Sequence, residues 1–185
     1  MARTLAAQDK KVILLDLNSH DPKIASSFDV RNGYGIKDIY AQQCTLQDAI
    51  QITSIPNLDV VTAGESDQMV EHLMATNRTK DIISELRSQY DAVIIDTPEV
   101  GEFIEAIPFM RWSDLNLYVV RAESGKNELV ENAEMVKEEY RLQEVYYVLN
   151  AMKERRNHTG YVKPAKVKSV KGRTYQARLS NLFMW

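Results

Sequence analysis

Two aspartates, Asp16 and Asp96, each follow a short apolar run, Val-Ile-Leu-Leu before the first and Ala-Val-Ile-Ile before the second. A carboxylate at the end of a buried strand is costly unless a cation or a hydrogen-bond donor meets it. Mg²⁺ that bridges nucleotide phosphates is the usual partner in such sites. The alternative is an aspartate that caps the next helix or turn. Two such aspartates in one chain favour a Mg²⁺-nucleotide crevice over that alternative.

The elements that would position these aspartates follow from the apolar pattern. Short β-branched or aliphatic runs bounded by polar turns predict strands, and apolar residues at helical spacing predict amphipathic helices between them. Strands that are apolar throughout must be covered on both faces, which alternating helices provide. The predicted strands are residues 12–17, 58–62, 92–96, 115–120 and 145–149, and the predicted helices are residues 79–90 and 128–140.

This alternation indicates an α/β fold with a mainly parallel sheet and helices on both of its faces. In such a sheet, ligands bind at the carboxyl ends of the strands, where loops converge and helix N-termini point toward the crevice. Asp16 and Asp96 are therefore expected at adjacent strand ends on the same edge of the sheet.

Composition predicts one domain followed by a tail. The 185 residues are 44% hydrophobic and 26% charged, which is ordinary for a globular domain. We expect the α/β domain at residues 1–152 and a basic carboxyl-terminal tail at residues 153–185. Residues 153–178 carry nine basic side chains and one acidic one, so they hold +8 of charge, and the overall −3 leaves −11 on the rest. The acidic body argues against nucleic-acid binding, whereas the tail is either a solvated end or a contact for anionic lipid or an acidic partner.

A family resemblance rests on segments that occur in order across residues 1–152. They are Lys-Lys-Val-Ile-Leu-Leu-Asp-Leu-Asn from Lys10, Ile-Pro-Asn-Leu-Asp-Val-Val-Thr-Ala-Gly from Ile55, Glu-Leu-Arg-Ser-Gln-Tyr-Asp-Ala-Val-Ile-Ile-Asp-Thr-Pro from Glu85, and Val-Leu-Asn from Val148. The chain resembles the bacterial tyrosine kinases of capsule and exopolysaccharide export. These are deviant P-loop ATPases, related to the chromosome-partitioning and division-site-selecting ATPases.

The resemblance implies ATP and Mg²⁺ as cofactors and a role for three residues. Asp96 matches the Walker B aspartate, which positions Mg²⁺ through its water shell. Asp16 matches the first aspartate of an additional Walker motif, which serves the metal and the attacking hydroxyl. Asn150 matches the asparagine that contacts the edge of adenine. In the family, tyrosines near the carboxyl terminus are phosphorylated between neighbouring subunits, which makes Tyr161 and Tyr175 candidate acceptors.

The sequence also departs from the family. Asn18 stands where the additional motif has its second aspartate, and His20 lies near the place of its arginine. The phosphate-binding loop needs a glycine-rich turn with Lys-Ser/Thr, yet no glycine precedes Gly33. The segment Ala-Arg-Thr-Leu-Ala-Ala from Ala2 resembles the end of the helix that follows that loop. We therefore expect that the loop and the central strand before it are absent, and that the chain alone binds ATP weakly or not at all and is inactive.

Three functions remain open from the sequence. The first is a truncated or degenerate tyrosine-kinase-like ATPase domain of exopolysaccharide or capsule biosynthesis. The second is a non-catalytic interaction module that binds a membrane polysaccharide co-polymerase, the chain-length regulator, or associates with itself. The third is an ATPase of the partitioning type whose phosphate-binding loop lies upstream of this sequence. The resemblance places all three in the cytoplasm at the inner face of the bacterial membrane.

Overall fold

The structure is a computed structural model of the chain, and it describes residues 1–18, 21–66, 77–98, 107–121, 127–142 and 144–151. Helices and strands alternate through these residues. In chain order the elements are α1 (Ala2–Ala6), β1 (Val12–Asp16), α2 (Ile24–Phe28), α3 (Ile36–Tyr40), α4 (Leu46–Ala49), β2 (Ile50–Ile52), β3 (Leu58–Val61), α5 (Asn77–Gln89), β4 (Ala92–Asp96), α6 (Ile107–Trp112), β5 (Asn116–Arg121), α7 (Asn127–Glu139) and β6 (Val145–Asn150).

The strand β1 lies inside a four-stranded sheet of order β2-β3-β1-β4. It pairs in parallel with β3 on one side and with β4 on the other, and all five of its residues are buried. The short strand β2 pairs with β3 in the antiparallel direction and forms one edge. The prediction of an α/β fold with a mainly parallel sheet is confirmed. The antiparallel strand β2 was not predicted, because three residues are too few to show a period of two.

Two hydrophobic clusters cover the two faces of this sheet, because successive side chains of a strand point to opposite sides. Ile13 and Leu15 belong to the first cluster, which also contains buried apolar residues of α3 and α5 and Phe109 of α6. Val12 and Leu14 belong to the second, which contains α1 and the start of α2. Helices therefore lie on both faces, as the uniformly apolar strands require.

The strands β5 and β6 form a separate two-stranded parallel sheet. Among the described residues no ladder joins β4 to β5, so these strands belong to two separate sheets. A parallel pair is usually covered on both faces and flanked by further strands. Here Val119, Tyr146 and Leu149 are instead more than half exposed.

The two longer helices begin and end close to their predicted bounds. The helix predicted at 79–90 is α5, Asn77–Gln89, and the helix predicted at 128–140 is α7, Asn127–Glu139. The short helices α2, α3, α4 and α6 were not predicted, since four to six residues give too little periodicity. The segment 2–7, interpreted as the end of a helix, does contain α1. The tail predicted at 153–185 lies outside the described residues, so that domain boundary stays a prediction.

In the part of the chain that the structure describes, no helix combines the length and the hydropathy that crossing a bilayer would require.

Candidate functional site

Asp16 and Asp96 are the last residues of two neighbouring strands. The parallel register of β1 and β4 pairs them directly, Asp16 with Asp96. Residues paired across a parallel ladder project to the same face of the sheet, and the strands are about 4.8 Å apart. The prediction that the two aspartates lie at adjacent strand ends on one edge is therefore confirmed, and their carboxylates form one acidic cluster.

Asp16 is buried, with an exposed fraction of 1%, and its carboxylate accepts two backbone hydrogen bonds. The Asn18 amide donates to Oδ1 at 3.0 Å, and the Ile24 amide donates to Oδ2 at 3.2 Å. Ile24 is the first residue of α2, so Asp16 also caps that helix. Asp16 is thus a helix-capping aspartate, which was the alternative to a Mg²⁺ site. Capping is compatible with a role toward a cation, because each carboxylate oxygen has a further lone pair.

The pKa values of both carboxyl groups are raised above their ordinary value of 3.8. For Asp16 the largest cause is burial, the backbone hydrogen bonds oppose it, and the charge of Asp96 raises the pKa further. Partial desolvation at the strand end raises the pKa of Asp96, although this side chain remains exposed to solvent. A cation at this edge would lower the pKa of both carboxyl groups, because an opposite charge favours the ionised forms.

Thr62 completes the polar cluster at the carboxyl end of β3. The register pairs Val61 with Leu15, so the next residue on each strand, Thr62 and Asp16, lie side by side. Thr62 is fully buried, and among the described residues its Oγ1 has no hydrogen-bond partner. Buried hydroxyls normally have one. Thr62 was not among the predicted site residues, although a threonine as the last residue of the strand predicted at 58–62 was a usable signal.

The described residues contain no group of three or more His, Cys, Asp or Glu that could hold a metal ion. Two carboxylates and a hydroxyl are too few for a protein cage around Ca²⁺ or Zn²⁺. They fit Mg²⁺, which keeps several waters and takes one or two carboxylates plus the phosphates of its substrate. The donor set therefore favours Mg²⁺ bound together with a phosphate compound.

A backbone junction fixes the end of β3 next to this cluster. The Ile36 amide donates to the Thr62 carbonyl at 2.9 Å, which fastens the start of α3 to the strand end. The buried carboxylate of Asp38 accepts from the Gly35 amide at 2.9 Å and from the Glu65 amide at 3.1 Å. Residues 35–38 and 62–65 are thus held together through their main chains.

Of the other predicted site residues, the structure describes Asn150, which lies on the second sheet. Asn150 ends β6 on the second sheet, is exposed, and accepts from the Ala151 amide through its Oδ1 at 2.8 Å. Its role toward adenine stays a prediction. Tyr161, Tyr175 and His20 lie outside the described residues. Asn18 accepts from the Asp21 amide through Oδ1 at 3.1 Å, so it stabilises the turn after β1.

Neutralising Asp96 is expected to stabilise the metal-free protein at neutral pH. When folding raises the pKa of a carboxyl group, the free energy of unfolding falls as pH rises from the pKa in the unfolded chain through the pKa in the folded protein. In Asp96→Asn this loss is absent, and the pKa of Asp16 falls because one neighbouring charge is gone. The variant should have the higher Tm at pH 7, and the difference should disappear as pH falls below 3.8, the ordinary pKa of the group. Equal Tm values at both pH values would contradict the raised pKa of this group.

Sequence comparison identifies the family. The AAA domain family matches residues 1–144 of the chain. The chain is similar to the putative tyrosine-protein kinase CapB of Staphylococcus aureus, at 29% identity over 133 residues. That match covers 72% of this chain and 58% of CapB. The chain therefore spans little more than half the length of this relative.

Two solved structures have the same fold. The chimerical protein CapA2B2 superposes with a TM-score of 0.75 at 27% identity, over 82% of this chain and 67% of that one. The kinase domain of the Escherichia coli tyrosine kinase ETK superposes with a TM-score of 0.77 at 24% identity, over 88% of this chain and 63% of that one, and shows the fold alone. The predicted α/β fold of P-loop type and the predicted resemblance are confirmed. The chain belongs to the AAA domain family, and its relatives there are bacterial tyrosine kinases.

Proposed function

We propose that this chain is a degenerate tyrosine-kinase-like ATPase domain of exopolysaccharide or capsule biosynthesis, with a Mg²⁺-nucleotide site at the carboxyl ends of β1 and β4. The pairing of Asp16 with Asp96 carries this proposal. The similarity to CapB supports the kinase assignment. The presence of Asn18 in place of a second carboxylate is the reason for calling the domain degenerate, since an amide adds no charge toward a cation.

The two aspartates have different parts in the proposed site. Asp96 is exposed, so its carboxylate is the one that contacts the hydrated cation. Asp16 is buried and already accepts two amides, so it acts as a positioning residue through its charge. When bound, Mg²⁺ would neutralise the charge of the nucleotide phosphates. Thr62 supplies a hydroxyl behind Asp16 that is free to accept or donate within the site.

The wider setting is part of the same proposal. The domain acts in the cytoplasm at the inner face of the bacterial membrane, where it binds a polysaccharide co-polymerase and associates with further copies. The basic tail at 153–185 contacts anionic lipid, and Tyr161 and Tyr175 accept phosphate. Asn150 contacts the adenine. The proposal rests here on the family resemblance and on the charge distribution of the sequence.

A Mn²⁺ titration followed by NMR tests the metal site, because paramagnetic Mn²⁺ broadens the signals of amides close to it. The amides of Leu17 and Thr97 are expected to broaden, and ATP should tighten the Mn²⁺ binding. Asp96→Asn should weaken Mn²⁺ binding at least about tenfold, since it removes the carboxylate that contacts the cation. Mg²⁺ should compete with the Mn²⁺.

Asp9→Asn is the matched control, because it removes the same charge at the other end of the sheet. Asp9 precedes β1, is exposed, and has a φ of 60°, a conformation that asparagine tolerates well. This variant should bind Mn²⁺ like the parent. If both variants lose the same affinity, the broadening reports general charge, and the proposed site is wrong.

A second function, that of a non-catalytic interaction module, is favoured by the exposed side chains of Val119 and Tyr146, which the register places on the same face of the two-stranded sheet. Exposed apolar clusters mark binding surfaces in soluble proteins. The same titration separates the two functions: an interaction module would show no Mn²⁺ effect that depends on Asp96.

A further inference from the structure

The strand β6 is an edge strand whose sequence carries none of the usual protection of an edge. Among the described strands it pairs with β5 alone. Its first five residues, Val-Tyr-Tyr-Val-Leu, contain no charge, proline or glycine. Natural edge strands usually carry lysine, proline or a bulge, because unpaired backbone groups attract another strand. The second side of β6 is therefore a surface that can accept a further strand.

The hydrogen bonds to β5 show which peptide groups of β6 lie on that second side. The Asn116 amide donates to the Glu144 carbonyl at 2.9 Å, so Glu144 faces β5. Successive residues of a strand direct their N–H and C=O groups to alternate sides. The residues of β6 whose peptide groups face away from β5 are consequently Val145, Tyr147 and Leu149.

The exposed apolar side chains of β6 lie on both faces of the sheet. The exposed fraction is 51% for Tyr146, 38% for Tyr147 and 56% for Leu149. Side chains alternate along a strand, so Tyr146 projects to one face and the other two project to the opposite face. A partner that covers one face would leave the other exposed. A strand added at the edge contacts both faces.

A second copy of β6 in the antiparallel direction fits this edge, because the outward residues are symmetric about Tyr147. With a two-fold axis at Tyr147, this residue pairs with itself, and Val145 pairs with Leu149 of the second copy. All three outward residues then form hydrogen-bonded pairs, with about two bonds in each. On the other face, Tyr146 lies opposite Val148 of the second copy, in the closer type of pair. Each exposed apolar side chain of β6 thus gains a neighbour.

Charge complementarity also favours a second copy in this direction. In the antiparallel pair, Asn150 lies opposite Glu144 of the second copy, so no like charges meet there. The segment 153–156 begins three residues beyond Asn150 and carries three basic residues and one acidic one. It would leave β6 beside the exposed Glu138 and Glu139 of the second copy, at the end of its α7. Within one copy these groups lie at opposite ends of β6, more than about 15 Å apart.

One carboxylate on each copy opposes this arrangement. The Tyr147 hydroxyl donates to Glu134 of α7 at 2.6 Å, so both copies bring Glu134 toward the two-fold axis. Each Glu134 also forms an ion pair with Lys137 at 3.4 Å, which offsets the repulsion between the two carboxylates. The charge at the axis therefore weakens the contact without preventing it.

We propose that two copies of this chain associate through their β6 strands, antiparallel and edge to edge, about a two-fold axis at Tyr147. The contact is isologous and closes at two copies, because the same edge is used on both sides. Three partly exposed side chains contribute on the order of 300 Å² per copy, which is small for a stable interface. We therefore expect a reversible dimer with a Kd of about 10–100 μM.

This inference names the surface for the self-association that is part of the proposed function. The dimer requires neither a metal ion nor a nucleotide. The Mn²⁺ titration and the measurement of association can therefore fail independently of each other.

Analytical ultracentrifugation of the 185-residue chain at about 5–500 μM tests the association. Tyr147→Pro removes an outward N–H without breaking the ladder to β5, so it should weaken the dimer at least about tenfold. Leu149→Lys keeps the peptide group but places a charge opposite Val145 of the second copy, and should act in the same direction. Circular dichroism of both variants at low concentration checks that they fold.

Val119→Lys is the matched control, because Val119 is exposed on β5 and not at the edge of β6. This variant should dimerise like the parent. If Val119→Lys abolishes the dimer while the two β6 variants keep it, the sheet face is the interface and the proposal is wrong. A chain that stays monomeric at the highest concentration would also overturn it.

Amide hydrogen exchange checks the register. The amides of Val145, Tyr147 and Leu149 should exchange at least about threefold more slowly at 500 μM than at 5 μM, because only the dimer protects them. The amides of Tyr146 and Val148 face β5 and should not depend on concentration. Protection of the first three already in the monomer would mean that another segment of the same chain occupies the edge, which contradicts the proposal.

Discussion

Gly35→Ala is expected to destabilise the fold by more than about 4 kcal/mol, a large part of the total stability of about 5–15 kcal/mol that is typical of a domain. A Cβ at this position would lie 2.3 Å from the Thr62 carbonyl oxygen and 2.4 Å from the Gly64 nitrogen. Both are backbone atoms, so neither can rotate away. The collision would separate the start of α3 from the end of β3, next to the orphaned Thr62 hydroxyl.

Gly33→Ala is the matched control for this substitution. A Cβ at Gly33 would have no heavy atom within 4 Å, so the change should alter stability by less than about 1 kcal/mol. Urea denaturation followed by circular dichroism measures both variants. If their midpoints agree, the close approach of residues 35 and 62–64 is not present in the folded protein.

The second large effect is expected at Asp38, whose carboxylate accepts the Gly35 and Glu65 amides while only 3% exposed. Asp38→Ala would leave two amide donors without an acceptor, and each costs about 1–3 kcal/mol when buried. We expect a loss of roughly 2–5 kcal/mol in the free energy of unfolding. Both amides donate to the same oxygen, Oδ2, so Asp38→Asn, which keeps one acceptor oxygen, should lose less than Asp38→Ala.

Asp48 supplies the comparison for Asp38, because it makes a similar local contact at an exposed position. Its carboxylate accepts the Thr45 amide at 2.9 Å at the start of α4. Water can replace that bond, so Asp48→Ala should cost much less than Asp38→Ala. If both variants lost the same free energy of unfolding in this denaturation experiment, burial would not strengthen the hydrogen bonds of Asp38, and the prediction would be wrong.

The sequence predicted the larger elements well because their signals are local. The runs before Asp16 and Asp96 are apolar over four residues, and α5 and α7 are long enough for helical periodicity to be clear. The carboxylate pair was predictable for a related reason: parallel strands all end at the same edge of a sheet, so residues that end them meet there.

The structural junction around Gly35 was not predictable from the sequence. It joins residues near 35 to residues near 64, and nothing in either segment alone indicates the other. Thr62 is similar, because only the ladder between β1 and β3 places its hydroxyl beside Asp16. The pairing of the strands was also beyond the sequence, since the composition of β4 and β5 does not state which strands are their neighbours.

Sequence by itself thus determined the fold class, the two carboxylates at strand ends and the family resemblance, all of which depend on residue type and on short spacing. The tertiary structure alone decided that Asp16 is buried and caps α2 while Asp96 is exposed, and that Asp38 closes the junction beside Thr62. It also decided that, among the described strands, β4 pairs with β1 alone and β5 with β6 alone. The physical reason is that burial, charge coupling and strand pairing arise between residues distant in the chain, and their free energies exist only once the chain has folded.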